Sequence, residues 1–168
     1  MDVRSLRLQA DGRRLQELGQ RSTLISVQPQ NALGDRYRVT YSCRGLVWLP
    51  GAPGPAVTSH HEMEIYLHLD YPRLPPRIQW LTEIFHPNIL PPRRNGGVCI
   101  GRWSPAETLD QLVIRIGEMV QYKNFSTSDA LDTNAAAWVA AHRSAFPVDP
   151  APILDVRSDI SISLGDSR

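Results

Sequence analysis

Between His61 and Leu69 the side chains alternate without a slip, with Met63, Ile65, Leu67 and Leu69 on one face and Glu62, Glu64, Tyr66 and His68 on the other. A two-residue period of this kind specifies a β-strand buried on one side and wet on the other, as in an antiparallel sheet. Tyr71-Pro72-Arg73-Leu74-Pro75-Pro76 breaks the strand, and Arg77 to Leu81 is long enough for one more short strand.

Upstream, residues 2–19 read as an amphipathic helix with Val3, Leu6, Ala10, Leu15 and Leu18 as its apolar side and Gly19 as its stop. Residues 23–28 read as a first strand and 31–35 as a turn. Residues 37–49 form a longer β-type run in which Tyr37, Val39 and Tyr41 alternate with Arg38, Thr40 and Ser42. Cys43 falls in phase with Tyr41, where a small buried hydrophobe belongs, and Pro50 to Pro55 is a Gly/Pro loop.

Downstream, residues 108–122 carry the best helical stripe, Leu109, Leu112, Val113, Ile116, Met119 and Val120, with Thr108 or Ser104 as the cap. Residues 129–143 read as a shorter helix holding Leu131, Ala135, Ala136, Trp138 and Val139. A tail rich in Pro, Asp and Ser follows. In it Ile160, Ile162 and Leu164 alternate with serines, the pattern of a strand induced by a partner within a composition that favours disorder. The order is α+β: a helix, an antiparallel meander, a long connection, then helices.

At 168 residues the chain has the size of one domain. Its net charge of +1 leaves no electrostatic footprint for nucleic acid or a membrane surface. No stretch approaches the roughly 20 apolar residues of a membrane span, and the N-terminus shows no signal-peptide run. Two cysteines, Cys43 and Cys99, do not make a disulfide framework, which points to a cytoplasmic protein with reduced thiols. The adjacent His60-His61 pair and two lone cysteines lack zinc-ligand spacing, so no metal is expected. Lys123 is the only lysine. A GC-rich coding bias accounts for that, and so does an advantage in keeping amines away from an activated acyl group.

The residues that carry chemistry lie in the connection 82–105. Long ordered loops in a compact domain are usually functional. This one displays Cys99 after Asn95-Gly96-Gly97-Val98, outside any apolar stripe, as a nucleophile would be displayed. In order along the chain come Tyr71-Pro72-x-x-Pro75-Pro76, His86-Pro87-Asn88, Gly97-Val98-Cys99-Ile100, Trp103-Ser104-Pro105-Ala106 and an amphipathic helix. Together these motifs resemble the ubiquitin-conjugating enzymes over about residues 2–143.

The resemblance implies the UBC-like fold in residues 1–143, with an N-terminal helix, a four-stranded antiparallel meander, an active-site loop and shortened C-terminal helices, and a flexible tail at 144–168. It implies an acyltransferase needing no cofactor. Cys99 would accept a ubiquitin-like modifier as a thioester from an activating enzyme and pass it to an amine on a target protein. Asn88 would donate to the tetrahedral oxyanion or hold the loop in shape. His86 is either a general base or, like the matching histidine of the family, a brace. Asp129 would orient the incoming amine or cap the next helix, and Asp132 offers the same two roles. The N-terminal helix, with Arg4, Arg7, Arg13 and Arg14, would dock the activating enzyme; the loops around Pro50–Pro55 and Phe85–Pro91 would face a ligase where one is used.

Three departures from the family pattern lie beside the thiol. The interval from Asn88 to Cys99 is lengthened through Pro91-Pro92-Arg93-Arg94, the interval from Cys99 to Trp103 is shortened, and Gly101 replaces an acidic residue. They give the chain the look of a divergent branch found in bacterial ubiquitin-like conjugation operons associated with antiphage defence. Two other readings compete: a non-catalytic relative that binds or scaffolds a modifier, and a cysteine hydrolase using Cys99 with His86 or His142, which lacks any protease signature.

Overall fold

The computed structural model describes residues 1–154. Helix α1 (Val3–Arg21) starts where Asp2 accepts a hydrogen bond from the Ser5 N–H at 2.7 Å. Strands β1 (Ile25–Pro29), β2 (Arg36–Tyr41), β5 (His61–Tyr66) and β6 (Arg77–Trp80) form one antiparallel sheet in the order β1-β2-β5-β6. Strands β3 (Gly45–Val47) and β4 (Ala56–Thr58) form a separate hairpin between β2 and β5. Helix α2 (Leu109–Val120) begins at Thr108 with a capping box to Gln111, and α3 (Thr133–Ala141) begins at Asp132, whose carboxylate accepts from the Ala135 N–H at 3.0 Å.

The inner face of the sheet holds Val39, Tyr41, Met63, Ile65 and Trp80, all buried against Leu8, Leu15 and Leu18 of α1 and the stripe of α2. Each fully buried Leu, Ile or Met contributes about 1.5–3 kcal/mol relative to exposure. Cys43 is buried in phase with Tyr41, as its position in the alternation implies.

Several expectations are corrected by packing. The apolar stripe of α1 is Leu8, Leu15 and Leu18 with Asp11 among them, while Val3 and Leu6 face solvent. The run 37–49 is not one strand: beyond Cys43 the Arg44 N–H donates to the Asp149 carboxylate at 2.8 Å, and the chain turns away into the β3–β4 hairpin. Leu69 is exposed, because β5 ends at Tyr66 and the turn that follows lifts it off the sheet. The third helix starts at residue 133 rather than 129, since Asp132 is its cap. The stretch Phe85–Pro91, expected as an exposed docking loop, is instead buried residue by residue. Residues 146–154, assigned to the flexible tail, lie on the core: Ile153 is buried and its carbonyl accepts from the Ser22 hydroxyl at 2.9 Å. An ideal Cβ on Gly117 would sit 3.0 Å from Ile153 Cδ1. The alternation at Ile160, Ile162 and Leu164 lies outside the described residues.

The polar member of the α1 stripe joins three parts of the fold. Asp11 is fully buried, and one carboxylate oxygen accepts from Arg7 Nε and from the Tyr71 hydroxyl, each at 2.6 Å. The other oxygen accepts from the Leu109 N–H at 3.2 Å, at the first turn of α2 where backbone donors have no helical partner. Burial, with the Asp11 carboxylate beside it, raises the Tyr71 hydroxyl pKa. Arg7 also donates to the carbonyls of Pro105 and Glu107, both at 2.6 Å. Arg7 is therefore turned into the fold rather than toward a partner, and Arg4 donates to the Leu67 carbonyl; Arg13 and Arg14 are the exposed members of the arginine set. Tyr71-Pro72 is a cis peptide, and the Pro72 carbonyl accepts from the Trp103 indole at 2.8 Å.

Removing Asp11 leaves the buried Leu109 N–H and the Tyr71 hydroxyl without their acceptor and takes from Arg7 its ion-pair partner. Asp11→Ala is expected to cost about 2–4 kcal/mol and to lower the thermal midpoint by roughly 5–15 °C. Calorimetry reads this directly; a shift below a degree would mean that water replaces all three contacts.

Candidate active site

The segments His86–Leu90 and Gly97–Cys99 run antiparallel as a small hairpin, with Ile89 bridged to both His86 and Val98. The Cys99 N–H donates to the Asn88 carbonyl at 2.9 Å and the Leu90 N–H to the Gly97 carbonyl at 2.8 Å. The additional prolines and arginines form the turn of this hairpin, a single 3-10 turn at Pro92–Arg94. Gly96 follows with φ +65°, where a Cβ would overlap the Gln79 amide and the Trp80 carbonyl, so only glycine closes the turn. Arg94 pairs with Asp132 at 2.8 Å and Arg93 with Glu83 at 3.3 Å. The lengthened interval is thus absorbed away from the thiol.

A strap after α2, residues 124–132, is tied to the same hairpin. Asn88 is buried; its Nδ2 donates to the Ser126 carbonyl at 3.0 Å and its Oδ1 accepts from the Ser126 N–H at 2.8 Å. The Pro87 carbonyl accepts from the N–H groups of Leu131 at 2.8 Å and Asp132 at 3.1 Å. Between these ties Asn88, Cys99 and Asp129 line one cleft of about 240 Å³, together with Phe125 and Arg115. Asp129 is exposed on the strap, whereas Asp132 caps α3.

His86 sits behind this cleft and does not line it. It is fully buried, with Nε2 at 2.8 Å from the Met119 carbonyl and Nδ1 accepting the Asn88 N–H at 2.9 Å. Those partners fix the neutral tautomer with its proton on Nε2. Burial drives its pKa down to about 3, the Met119 hydrogen bond only partly opposing this. With both ring nitrogens engaged and no part of it lining the cleft, His86 fits the brace of its two readings and not the general base.

Cys99 is half-buried and free, and Cys43 is a separate buried thiol, pushed up to about 12 by burial and the nearby Asp149 carboxylate. Among the described residues no group of three or more His, Cys, Asp or Glu is placed to hold a metal, and no helix is long and apolar enough to cross a membrane. Arg115 of α2 escapes a reading of the sequence. Its Nη1 donates to the Ile100 carbonyl and its Nη2 to Glu107 at 2.6 Å. The only signal is a charged residue beside the α2 stripe with an acid just ahead of the helix.

Residues 47–149 match the family described as Ubiquitin-conjugating enzyme. The chain belongs to this family. It is 28% identical over 109 residues to Ubiquitin-conjugating enzyme E2 2 of Candida glabrata, covering 60% of this chain and 62% of that protein. It is 33% identical over 88 residues to Ubiquitin-conjugating enzyme E2 13 of Saccharomyces cerevisiae, covering 50% of this chain and 55% of that protein. The chain therefore spans just over half of each of these relatives. The structure of the E2 domain of a Toxoplasma gondii ubiquitin conjugating enzyme superposes with a TM-score of 0.60 at 26% identity, covering 86% of this chain and 92% of that one. The UBC fold, with its N-terminal helix, antiparallel sheet and C-terminal helices, holds for this chain.

The buried imidazoles make stability depend on pH. His61, lowered to about 4 by burial, and His86, lowered to about 3, stay neutral when folded, while the unfolded chain has histidines near 6.5. Unfolding therefore takes up protons from about pH 6.5 down to 4 and 3. Stability is full above pH 6.5 and falls with acid, by up to about 1.4 kcal/mol per pH unit for each ring. Imidazole NMR signals of His86 should remain those of the Nε2–H tautomer from pH 8 to 5; a midpoint near 6.5 would refute the brace.

Proposed function

We propose that this chain is a ubiquitin-like-protein conjugating enzyme, an acyltransferase that works through Cys99. The observation that carries the reading is the shared cleft, in which a half-buried free thiol, a fixed amide at Asn88 and the Asp129 carboxylate line one wall system. The Cys99 sulfur attacks the thioester of a modifier on its activating enzyme; that enzyme's thiol leaves and the acyl group passes to Cys99. A target amine then attacks the carbonyl, the tetrahedral intermediate collapses to an amide, and Cys99 leaves as thiolate, recovering the proton that the amine loses.

Asn88 serves both roles considered for it. Its carbonyl oxygen and one N–H hold the strap through Ser126, and its second amide hydrogen is the donor for the oxyanion. Asp129, exposed and not used as a cap, receives the amine. Partners are the modifier, its activating enzyme on the α1 side, where Arg13 and Arg14 are exposed, and a target protein. The chain works in the cytoplasm, and its affinity is with the conjugating enzymes of bacterial antiphage operons, a reading motivated by the lengthened and shortened intervals around the thiol.

Incubation with activating enzyme, modifier and ATP should yield an adduct removed by thiol reductant and absent in Cys99→Ala. Cys99→Ser should give an adduct that resists reductant. Asn88→Ala should slow transfer from the charged enzyme by about 10²–10³. Modifier bound by Cys99→Ala as tightly as by the native chain, with no adduct from either, would favour the scaffold reading instead.

A further inference from the structure

Cys99 is held on its N-terminal side by its own N–H on the Asn88 carbonyl. On its C-terminal side the chain runs through Ile100, Gly101 and Arg102 to Trp103, whose indole is fixed on the Pro72 carbonyl. Gly101 has φ +72° and open space around it, and Arg102 is exposed. Among the described residues, the hydrogen bond that anchors this stretch comes from Arg115, which donates from Nη1 to the Ile100 carbonyl.

The guanidinium is itself held. Its Nη2 meets the Glu107 carboxylate at 2.6 Å, and the Glu107 backbone carbonyl accepts from Arg7, also at 2.6 Å. Arg115 thus joins the residue after Cys99 to Glu107, just ahead of α2, and lines the cleft beside the thiol. A guanidinium presents a rigid fork able to serve both acceptors at once, whereas an ammonium is a single compact point.

We propose that Arg115 is a positioning residue for acyl transfer: by gripping the residue after Cys99, it sets where the sulfur, and the acyl group on it, stands relative to Asn88 and Asp129. The inference rests on the carrier role proposed for Cys99. Transfer chemistry is sensitive to placement, and a displacement of about 1 Å costs about 10²-fold.

The test uses the full chain and Arg115→Ala, with Arg115→Lys beside it. Single-turnover transfer from the charged enzyme to free lysine should fall by roughly 10- to 100-fold in both variants. Alkylation of Cys99 by iodoacetamide, which needs only access, should change by less than about two-fold by the same geometric argument. Low millimolar guanidinium should restore part of the transfer rate to Arg115→Ala and none to Arg115→Lys. Transfer at the native rate in Arg115→Ala would overturn the proposal, as would a several-fold rise in alkylation accompanying the loss of transfer, the mark of local unfolding. A separate reading needs no partner protein: backbone order at Gly101 and Arg102 should drop from about 0.85 toward 0.6 in Arg115→Ala. If the native chain forms no Cys99 adduct, the carrier role fails; unchanged order at residues 101 and 102 then refutes the grip on its own.

Discussion

A carboxylate with no contact with solvent organises this fold. Asp11 sits in the apolar stripe of α1 and takes hydrogen bonds from Arg7, Tyr71 and the first residue of α2. A buried charge without such partners would cost several kcal/mol, so the three elements are obliged to meet at one point. The result fixes the angle of α1, the turn after β5 and the start of α2 together. Since α2 carries the wall of the cleft, the position of the thiol's surroundings is set from the far side of the molecule.

The cleft is built from two backbone devices. One is the hairpin that pairs the His86–Leu90 segment with Gly97–Cys99; the other is the strap that Asn88 and the Pro87 carbonyl fasten to it. His86 stands behind both, joining the Asn88 amide to the last turn of α2 through Met119. A neutral imidazole suits this place because it offers one donor and one acceptor at fixed separation. The cleft holds few charged groups: Asp129 and Arg115 are the charged side chains among those lining it.

Legibility followed the range of the interactions. The alternation of Met63, Ile65 and Leu67 and the stripe of α2 are local, and both mark buried faces. Cys99 is marked locally by its glycine-flanked loop, whereas Asn88 and Asp129 stand out only through family resemblance, since nothing local in the chain brings residues 88, 99 and 129 to one cleft. What escaped was set from a distance. Asp11 looks like surface in a helical wheel until Tyr71 and Leu109 arrive. The break after Cys43 depends on Asp149, and the grip of Arg115 depends on a carbonyl outside its helix. Residues 146–154 depart from the expected free tail for a similar reason: proline and acid suggest solvent, but Ile153 and Asp149 are buried, tied to the Ser22 hydroxyl and the Arg44 N–H.

Gly117 leaves a notch on the buried side of α2, beside Tyr41, and a methyl group there would meet Tyr41 at 2.9 Å and Ile153 at 3.0 Å. The helix does not complete its own packing; a residue arriving after α3 does it instead. Residues 148–151 are stitched to the end of that helix, the Val148 N–H to the Gln121 carbonyl at 3.0 Å and the Gln121 amide to the Ala151 carbonyl at 2.8 Å. Ile153 thus acts as a keystone, and a chain trimmed after α3 would carry an unfilled hollow under its central helix.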